Sequence, residues 1–290
     1  MTTPPPRLTD WLRRNPAELS RGPIALILCE DRVLIPETLH HHAGLGFRHI
    51  LALSPEPLDI PQDLASRVIC LIWDARAPGS HAAAVNAVND AAPAGTWIYY
   101  GFNAEFLFYP FCETRSVGEL LTFHAEERRD AMLACTVDLY NPDAAQTGAA
   151  VDPDAAQFDG YGYFSLGRRA AGGGFEERQI DIFGGPRWRH EDHIPPASRP
   201  LNRPALFRSA PGLRLSADHR FDRAEYNTLS CPWHHNLTAA VASFRLAKGL
   251  MANPGTREVA RHLTGPASVD FQWHSQQLLD LGLIESGQWF

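Results

Sequence analysis

The hydrophobic positions fall into short continuous runs separated by polar turns rich in glycine and proline. The first run, Ile24-Ala-Leu-Ile-Leu-Cys29, has no alternating polar positions, the pattern of a strand buried on both faces. Runs over 48–54, 67–73 and 97–102 predict three more strands, and the spacing over 34–44 and 81–91 predicts helices between them. Gly44 and Gly46 mark the end of the first of these helices. Alternating strands and helices on short connections predict a mainly parallel sheet. A helix over 116–128 and a strand over 131–140 continue the series. The pattern then changes. Residues 141–180 are rich in Gly, Asp and Ala, and Gly172-Gly-Gly174 predicts a long loop near the working face. Beyond it the chain predicts a helix over 237–251, a Pro/Gly break and a last segment near 268–283. Residues 1–22 read as a leader or capping segment with a helix around 6–14.

Length and charge narrow the function classes. The chain has 290 residues, 44% of them hydrophobic and 20% charged, values of an ordinary globular protein. Its 26 Lys and Arg against 33 Asp and Glu give a net charge of -7, which argues against a general nucleic-acid binder. No stretch approaches the roughly 18 apolar residues that span a bilayer, and the N-terminus lacks the apolar core of a signal peptide. The expectation is a soluble cytoplasmic protein without an integral membrane segment. The 5 cysteines are scattered without a Cys-x-x-Cys and read as reduced, buried thiols. One stretch stands apart. Between Arg187 and Arg223 lie eight arginines and four acidic residues, Glu191, Asp192, Asp218 and Asp222. Such a segment is either a solvated face or a pocket for an anionic ligand, arginine being suited to phosphate.

The turn after the first strand, Glu30-Asp-Arg-Val-Leu-Ile-Pro36, contains no glycine. A dinucleotide site needs glycine there for backbone approach to the pyrophosphate, so NAD and FAD are not expected. Several separated segments carry a resemblance instead. Cys29 through Ile50 holds an acidic turn, a helix ending in His42-Ala-Gly-Leu-Gly46 and the start of a strand. Trp97-Ile-Tyr-Tyr-Gly-Phe-Asn-Ala-Glu-Phe-Leu-Phe-Tyr-Pro110 is followed by Asp138-Leu-Tyr140, Gly184-Gly-Pro-Arg-Trp-Arg189, a basic stretch from Arg203 to His219, and Trp233-His-His-Asn236. In this order the segments resemble bacterial glycosyltransferase family 2-like proteins of the inverting GT-A type.

The resemblance implies a GT-A-like (Rossmann-like) α/β fold, a mainly parallel sheet flanked by helices, over 23–235, with a C-terminal helical extension over 236–290. It implies transfer of a sugar from a nucleotide-sugar donor to a glycan or lipid-linked acceptor. Glu30, Asp31 and Asp74 at strand ends would meet the base or ribose, and Arg187, Arg189 and Arg203 the diphosphate. Glu191, Asp192 and His219 are the candidates for catalytic base or phosphate contact. The family's Asp-x-Asp-Glu-Phe places two aspartates on Mn²⁺ or Mg²⁺. Here Phe102 and Ala104 occupy those places, leaving Glu105 and Asn103 as the oxygen donors for a metal. Loss of that clamp opens the competing reading, a non-catalytic paralogue that binds nucleotide, glycan or a partner enzyme.

Overall fold

In the computed structural model, which describes residues 5–20, 22–142, 144, 151–229 and 236–289, the chain divides into two units. The first comprises Met1–Ala104, Cys112–Met132 and Pro204–Asn227, the second Glu105–Phe111, Leu133–Arg203 and Thr228–Phe290. Along the chain the strands are β1 (Ile24–Leu28), β2 (His49–Ser54), β3 (Val68–Ile72), β4 (Trp97–Phe102), β5 (Glu105–Phe108) and β6 (Ala131–Asp138). They continue as β7 (Gln157–Asp159), β8 (Phe164–Arg169), β9 (Phe175–Phe183), β10 (Asn202–Arg208), β11 (Ala239–Ser243) and β12 (Ser268–Asp270). Helices α1 (Leu8–Arg14), α2 (Pro16–Leu19), α3 (Ile35–Gly44), α4 (Ser80–Ala91) and α5 (Val117–Glu126) belong to the first unit. No helix among the described residues is long and apolar enough to cross a membrane.

The first unit follows the expected alternation. Strands β1 to β4 are parallel in the order β3-β2-β1-β4, and β10 closes on β4 antiparallel through Leu206, Phe207 and Arg208. All five residues of β1 are buried, as a central parallel strand requires. Leu26, Leu28, Leu53 and Tyr100 share a core with Leu8 and Trp11 of α1 and Ala84, Val85 and Val88 of α4. From the segment expected as a leader or capping segment, Leu8, Trp11, Leu12 and Leu19 lie in this core. Helix α5 starts on a reciprocal cap: the Ser116 side chain accepts from the Glu119 N–H, and the Glu119 carboxylate accepts from the Ser116 N–H.

The second unit departs from the sequence reading in two places. Where 237–251 predicted one helix, Ala239–Ser243 forms a strand and the helix is confined to Arg245–Ala252. β11 runs parallel to β6 and antiparallel to β5, and its five residues are all buried. The run Ala-Ala-Val-Ala suits a helix by propensity; burial between two strands selects the extended form. Residues 236–290 are thus not a purely helical extension, since they supply a central strand. The expected long loop over 141–180 holds β7, which pairs with β12, and the β8–β9 hairpin. Gly173 and Gly174 sit at φ 88° and 79° in the turn of that hairpin, a conformation that favours glycine. The arm was hidden because five of the six residues in β8 are only partly buried or exposed, so no apolar run announces it.

One buried group in the first unit ties stability to pH. His124 of α5 is 3% exposed, its Nδ1 has no hydrogen-bond partner among the described residues, and burial with the nearby Arg129 lowers its pKa from 6.5 to about 4. Between these values the unfolded chain binds a proton that the folded chain refuses, so unfolding takes up that proton and stability falls as pH falls. The loss sets in below 6.5 and totals roughly 3 kcal/mol by about pH 4. Denaturant unfolding at pH 7.5 and 4.5 should show a smaller pH difference for His124→Gln than for the native chain. Equal differences in the two proteins would exclude His124 as the source.

Candidate functional site

In the first unit the strand order reverses between β1 and β4, the position at which open α/β sheets bind ligands outside the strand ends. The turn after β1 is built by side chains instead of glycine. Asn103, directly after β4, accepts the Glu30 N–H on Oδ1 at 2.9 Å and donates from Nδ2 to the Val33 carbonyl at 2.9 Å and to Asp31 Oδ1. Asp31 Oδ1 also accepts the Val33 N–H at 2.8 Å, and Arg76 Nε donates to the Glu30 carbonyl at 2.7 Å. Asp74, after β3, accepts the Arg76 N–H at 3.2 Å. Glu30, Asp31 and Asp74 therefore do gather at the carboxyl ends of β1 and β3. Asp31 and Asp74 also shape their own turns.

Beside these strands His219 is wedged among aromatic rings. Its Nδ1 lies 3.1 Å from the Tyr100 hydroxyl, and its ring stacks on His81 at 4.2 Å between centroids. His81 lies in the first turn of α4, and Phe102 meets both imidazoles edge-on or tilted at 6.4 and 6.1 Å. The backbone of His219 has φ 62°, the left-handed region that most residues avoid, and its N–H donates to the Ser216 carbonyl at 3.1 Å. His81 and Tyr100 were not singled out from the sequence. A histidine in a helix's first turn and a tyrosine in an apolar strand carry no periodic signal.

In the second unit the charged groups are organised around buried carboxylates. Glu105 of β5, Ser243 of β11 and Asp138 of β6 occupy one row across the three strands. Arg203 closes on both oxygens of Glu105, at 2.6 and 3.4 Å, and the Ser243 hydroxyl donates to Glu105 Oε1 at 3.1 Å. Arg187 holds Asp138 in a fork, Nε to Oδ2 at 2.7 Å and Nη2 to Oδ1 at 3.0 Å. Arg189 holds Asp159 the same way at 2.7 and 2.9 Å, and Asp159 Oδ1 also accepts the Tyr140 hydroxyl. Each of the three carboxylate side chains is 2% exposed. Burial pushes the Asp138 carboxyl above its usual range, against the pull of Arg187.

Arg187, Arg189 and Arg203, expected to face a diphosphate, are thus committed to carboxylates of their own unit. The same holds for much of the basic segment. Arg199 pairs with Glu191, Arg208 with Asp130, Arg214 with Asp90 and Arg220 with Asp218. The excess of positive charge read from the sequence is answered mostly by acids distant in the chain. Glu191 and Asp192 lie in a short turn of the second unit, whereas His219 belongs to the first, so the three catalytic candidates do not share a unit. Glu191 accepts from Arg199 Nη1 at 3.1 Å and Asp192 is exposed. Trp233, His234 and His235 lie outside the described residues.

A divalent cation wants several oxygen donors not already engaged. Glu105 is closed by Arg203 and Ser243, and both ends of the Asn103 amide are used in the β1 turn, so as placed they do not fit such an ion. Phe102 and Ala104 are buried, Phe102 in the core of the first unit. Among the described residues no group of three His, Cys, Asp or Glu is arranged to hold a metal. No protein-family model matches the chain, and no curated protein matches it.

The buried pairs and the surface pair separate in stability. Asp138→Ala removes the carboxylate partner of the largely buried Arg187, which keeps only the Ser198 and Pro200 carbonyls, and should cost about 3–5 kcal/mol in denaturant unfolding. Glu191→Ala, at an exposed pair, should stay within about 1 kcal/mol. Similar losses in both variants would refute the assignment of Asp138 as a buried anchor.

Proposed function

We propose that the protein is a nucleotide-sugar-dependent glycosyltransferase, with the nucleotide held at the carboxyl ends of β1 and β4. The observation that carries this reading is the reversal of strand order at β1 and β4 with the acidic turn Glu30–Asp31 at its mouth. In open α/β sheets ligands bind outside the strand ends at that reversal. The order of family-like segments along the chain supports the sugar-nucleotide class over other nucleotides. Asn103 fixes the Glu30 backbone at the end of β1, and a carboxylate in that place is of the type that accepts a ribose hydroxyl or a base N–H.

His219 is the residue assigned to the diphosphate or to the acceptor proton. An imidazole held by Tyr100 and His81 is oriented before substrate arrives, as proton transfer and charge stabilisation both require. Glu191 and Asp192 lie in the second unit and are given no role at the β1–β4 end. Glu105 and Asn103 are engaged by other groups and supply no metal site for the transfer.

A second reading has an observation of its own. Phe102 and Ala104 stand where the family's aspartates would be, and both are buried, so a non-catalytic nucleotide- or glycan-binding paralogue keeps the strand reversal and lacks the clamp. Calorimetric titration with UDP, GDP and CMP, with and without Mn²⁺, tests both. One nucleotide should bind, with little change on adding Mn²⁺, and Glu30→Ala should weaken it about 5- to 30-fold. Failure of all three nucleotides to bind would overturn the reading. Binding without sugar release or transfer, unchanged in His219→Ala, would select the paralogue.

A further inference from the structure

The arginines of the second unit that could have met a phosphate are bound to carboxylates, and in the first unit Arg32 of the β1 turn is paired with Glu56 at 3.0 Å. Arg76 is different. It follows Asp74 by two residues at the carboxyl end of β3, it is exposed, and it makes no ion pair among the described residues. The acids of the neighbouring turns are turned to backbone instead. Asp31 accepts the Val33 N–H at 2.8 Å, and Asp74 accepts the N–H of Arg76 itself at 3.2 Å.

The guanidinium is nevertheless held in place. Arg76 Nε donates to the Glu30 carbonyl at 2.7 Å, while Asn103 Oδ1 accepts the Glu30 N–H at 2.9 Å, so the backbone of Glu30 is gripped on both sides. A carbonyl takes a hydrogen bond without neutralising the charge of its donor. The bond therefore orders a long side chain in advance and leaves the cation uncompensated. Nη1 and Nη2 donate to no described residue, and that pair of nitrogens is the fork that matches two oxygens of a phosphate. The anchor is the residue that ends β1, so the fork stands where the strand order reverses.

We propose that Arg76 receives the phosphate of the nucleotide, the role that the sequence offered to Arg187, Arg189 and Arg203. The assignment rests on the nucleotide reading of the β1–β4 end and names the group that binds charge there. The surrounding acids set the ligand class. Glu30, Asp31 and Asp74 stand at the same strand ends as the single cation, so a phosphate by itself meets repulsion as well as attraction. A ligand with hydroxyl or N–H donors at one end and phosphate at the other suits both signs of charge. A nucleoside phosphate has that form, and inorganic pyrophosphate does not.

The test titrates the full chain with UDP, GDP and CMP, with the matching nucleosides uridine, guanosine and cytidine, and with pyrophosphate. Arg76→Ala should weaken the nucleotide that binds by about 10- to 100-fold and leave the affinity for its nucleoside unchanged. Arg76→Lys, which keeps the charge and loses the fork, should fall between the native chain and Arg76→Ala. Pyrophosphate should bind the native chain about tenfold more weakly than the nucleotide, or worse. If no nucleotide binds the native chain, the nucleotide reading fails and the assignment of Arg76 fails with it. If a nucleotide binds and Arg76→Ala leaves its affinity unchanged, the assignment alone is overturned. An equal loss for nucleotide and nucleoside also overturns it alone, since that result marks Arg76 as a brace of the β1 turn. Pyrophosphate bound as tightly as the nucleotide would overturn the ligand class.

Discussion

An ionised carboxylate taken out of water costs several kcal/mol unless a cation and further donors meet it. The second unit buries Glu105, Asp138 and Asp159, and each is met by the fork of an arginine. That constraint arranges much of what surrounds them. β5, β11 and β6 must keep register so that Glu105, Ser243 and Asp138 share a row, because a one-residue slip would turn each side chain to the opposite face. The Gly184-Gly-Pro-Arg-Trp-Arg189 segment must deliver Arg187 to Asp138 and Arg189 to Asp159, two residues apart on one short helix. Tyr140 and Ser268 complete the same network through the Asp159 carboxylate and the Tyr140 hydroxyl.

The first unit solves a different problem. A backbone leaving a buried parallel strand must turn sharply with its N–H and C=O groups satisfied. Glycine would allow the turn to close tightly and leave backbone open to a pyrophosphate. This chain uses Asn103 and Asp31 side chains to satisfy the turn, which moves any ligand recognition there from backbone to side chain. Ala104 follows at φ 60° with its N–H donating to Thr38 Oγ1 at 2.9 Å, so the chain after β4 is fixed by α3. The asparagine that resembles the middle of a metal motif is a structural residue of this turn.

Much of the first unit was legible because continuous apolar runs and helical spacing are strong local signals. β1 to β4 and α3 to α5 lie within one or two residues of where the pattern places them. The second unit was harder to read for two physical reasons. β11 is made of alanine, valine and serine, whose extended form is decided by neighbours far along the chain. The β8–β9 hairpin is largely exposed, so its residues are under little pressure to be apolar. Pairing was illegible for a related reason. Composition gives the segment from Arg187 to Arg223 an excess of charge, whereas Glu105, Asp130 and Asp90 lie about 80 to 125 residues away from the arginines they meet. His219, by contrast, was singled out in the sequence, and its partners Tyr100 and His81 emerged only with the fold.

The commitment of Arg187, Arg189 and Arg203 also limits the chemistry available to a sugar-transfer site. An arginine bidentate to a buried carboxylate meets an added phosphate only by leaving that carboxylate unpaired, a cost comparable to what the phosphate would return. The compensation for diphosphate charge must then come from groups not committed in this way. In the first unit the His219 imidazole is oriented by the Tyr100 hydroxyl at its Nδ1 and by stacking on His81. Imidazole carries charge only when protonated, so a phosphate contact of that kind weakens as pH rises. Transfer resting on arginine would not lose charge over the same range, since guanidinium stays protonated throughout. The pH dependence of nucleotide binding therefore distinguishes a histidine-centred site from an arginine-centred one.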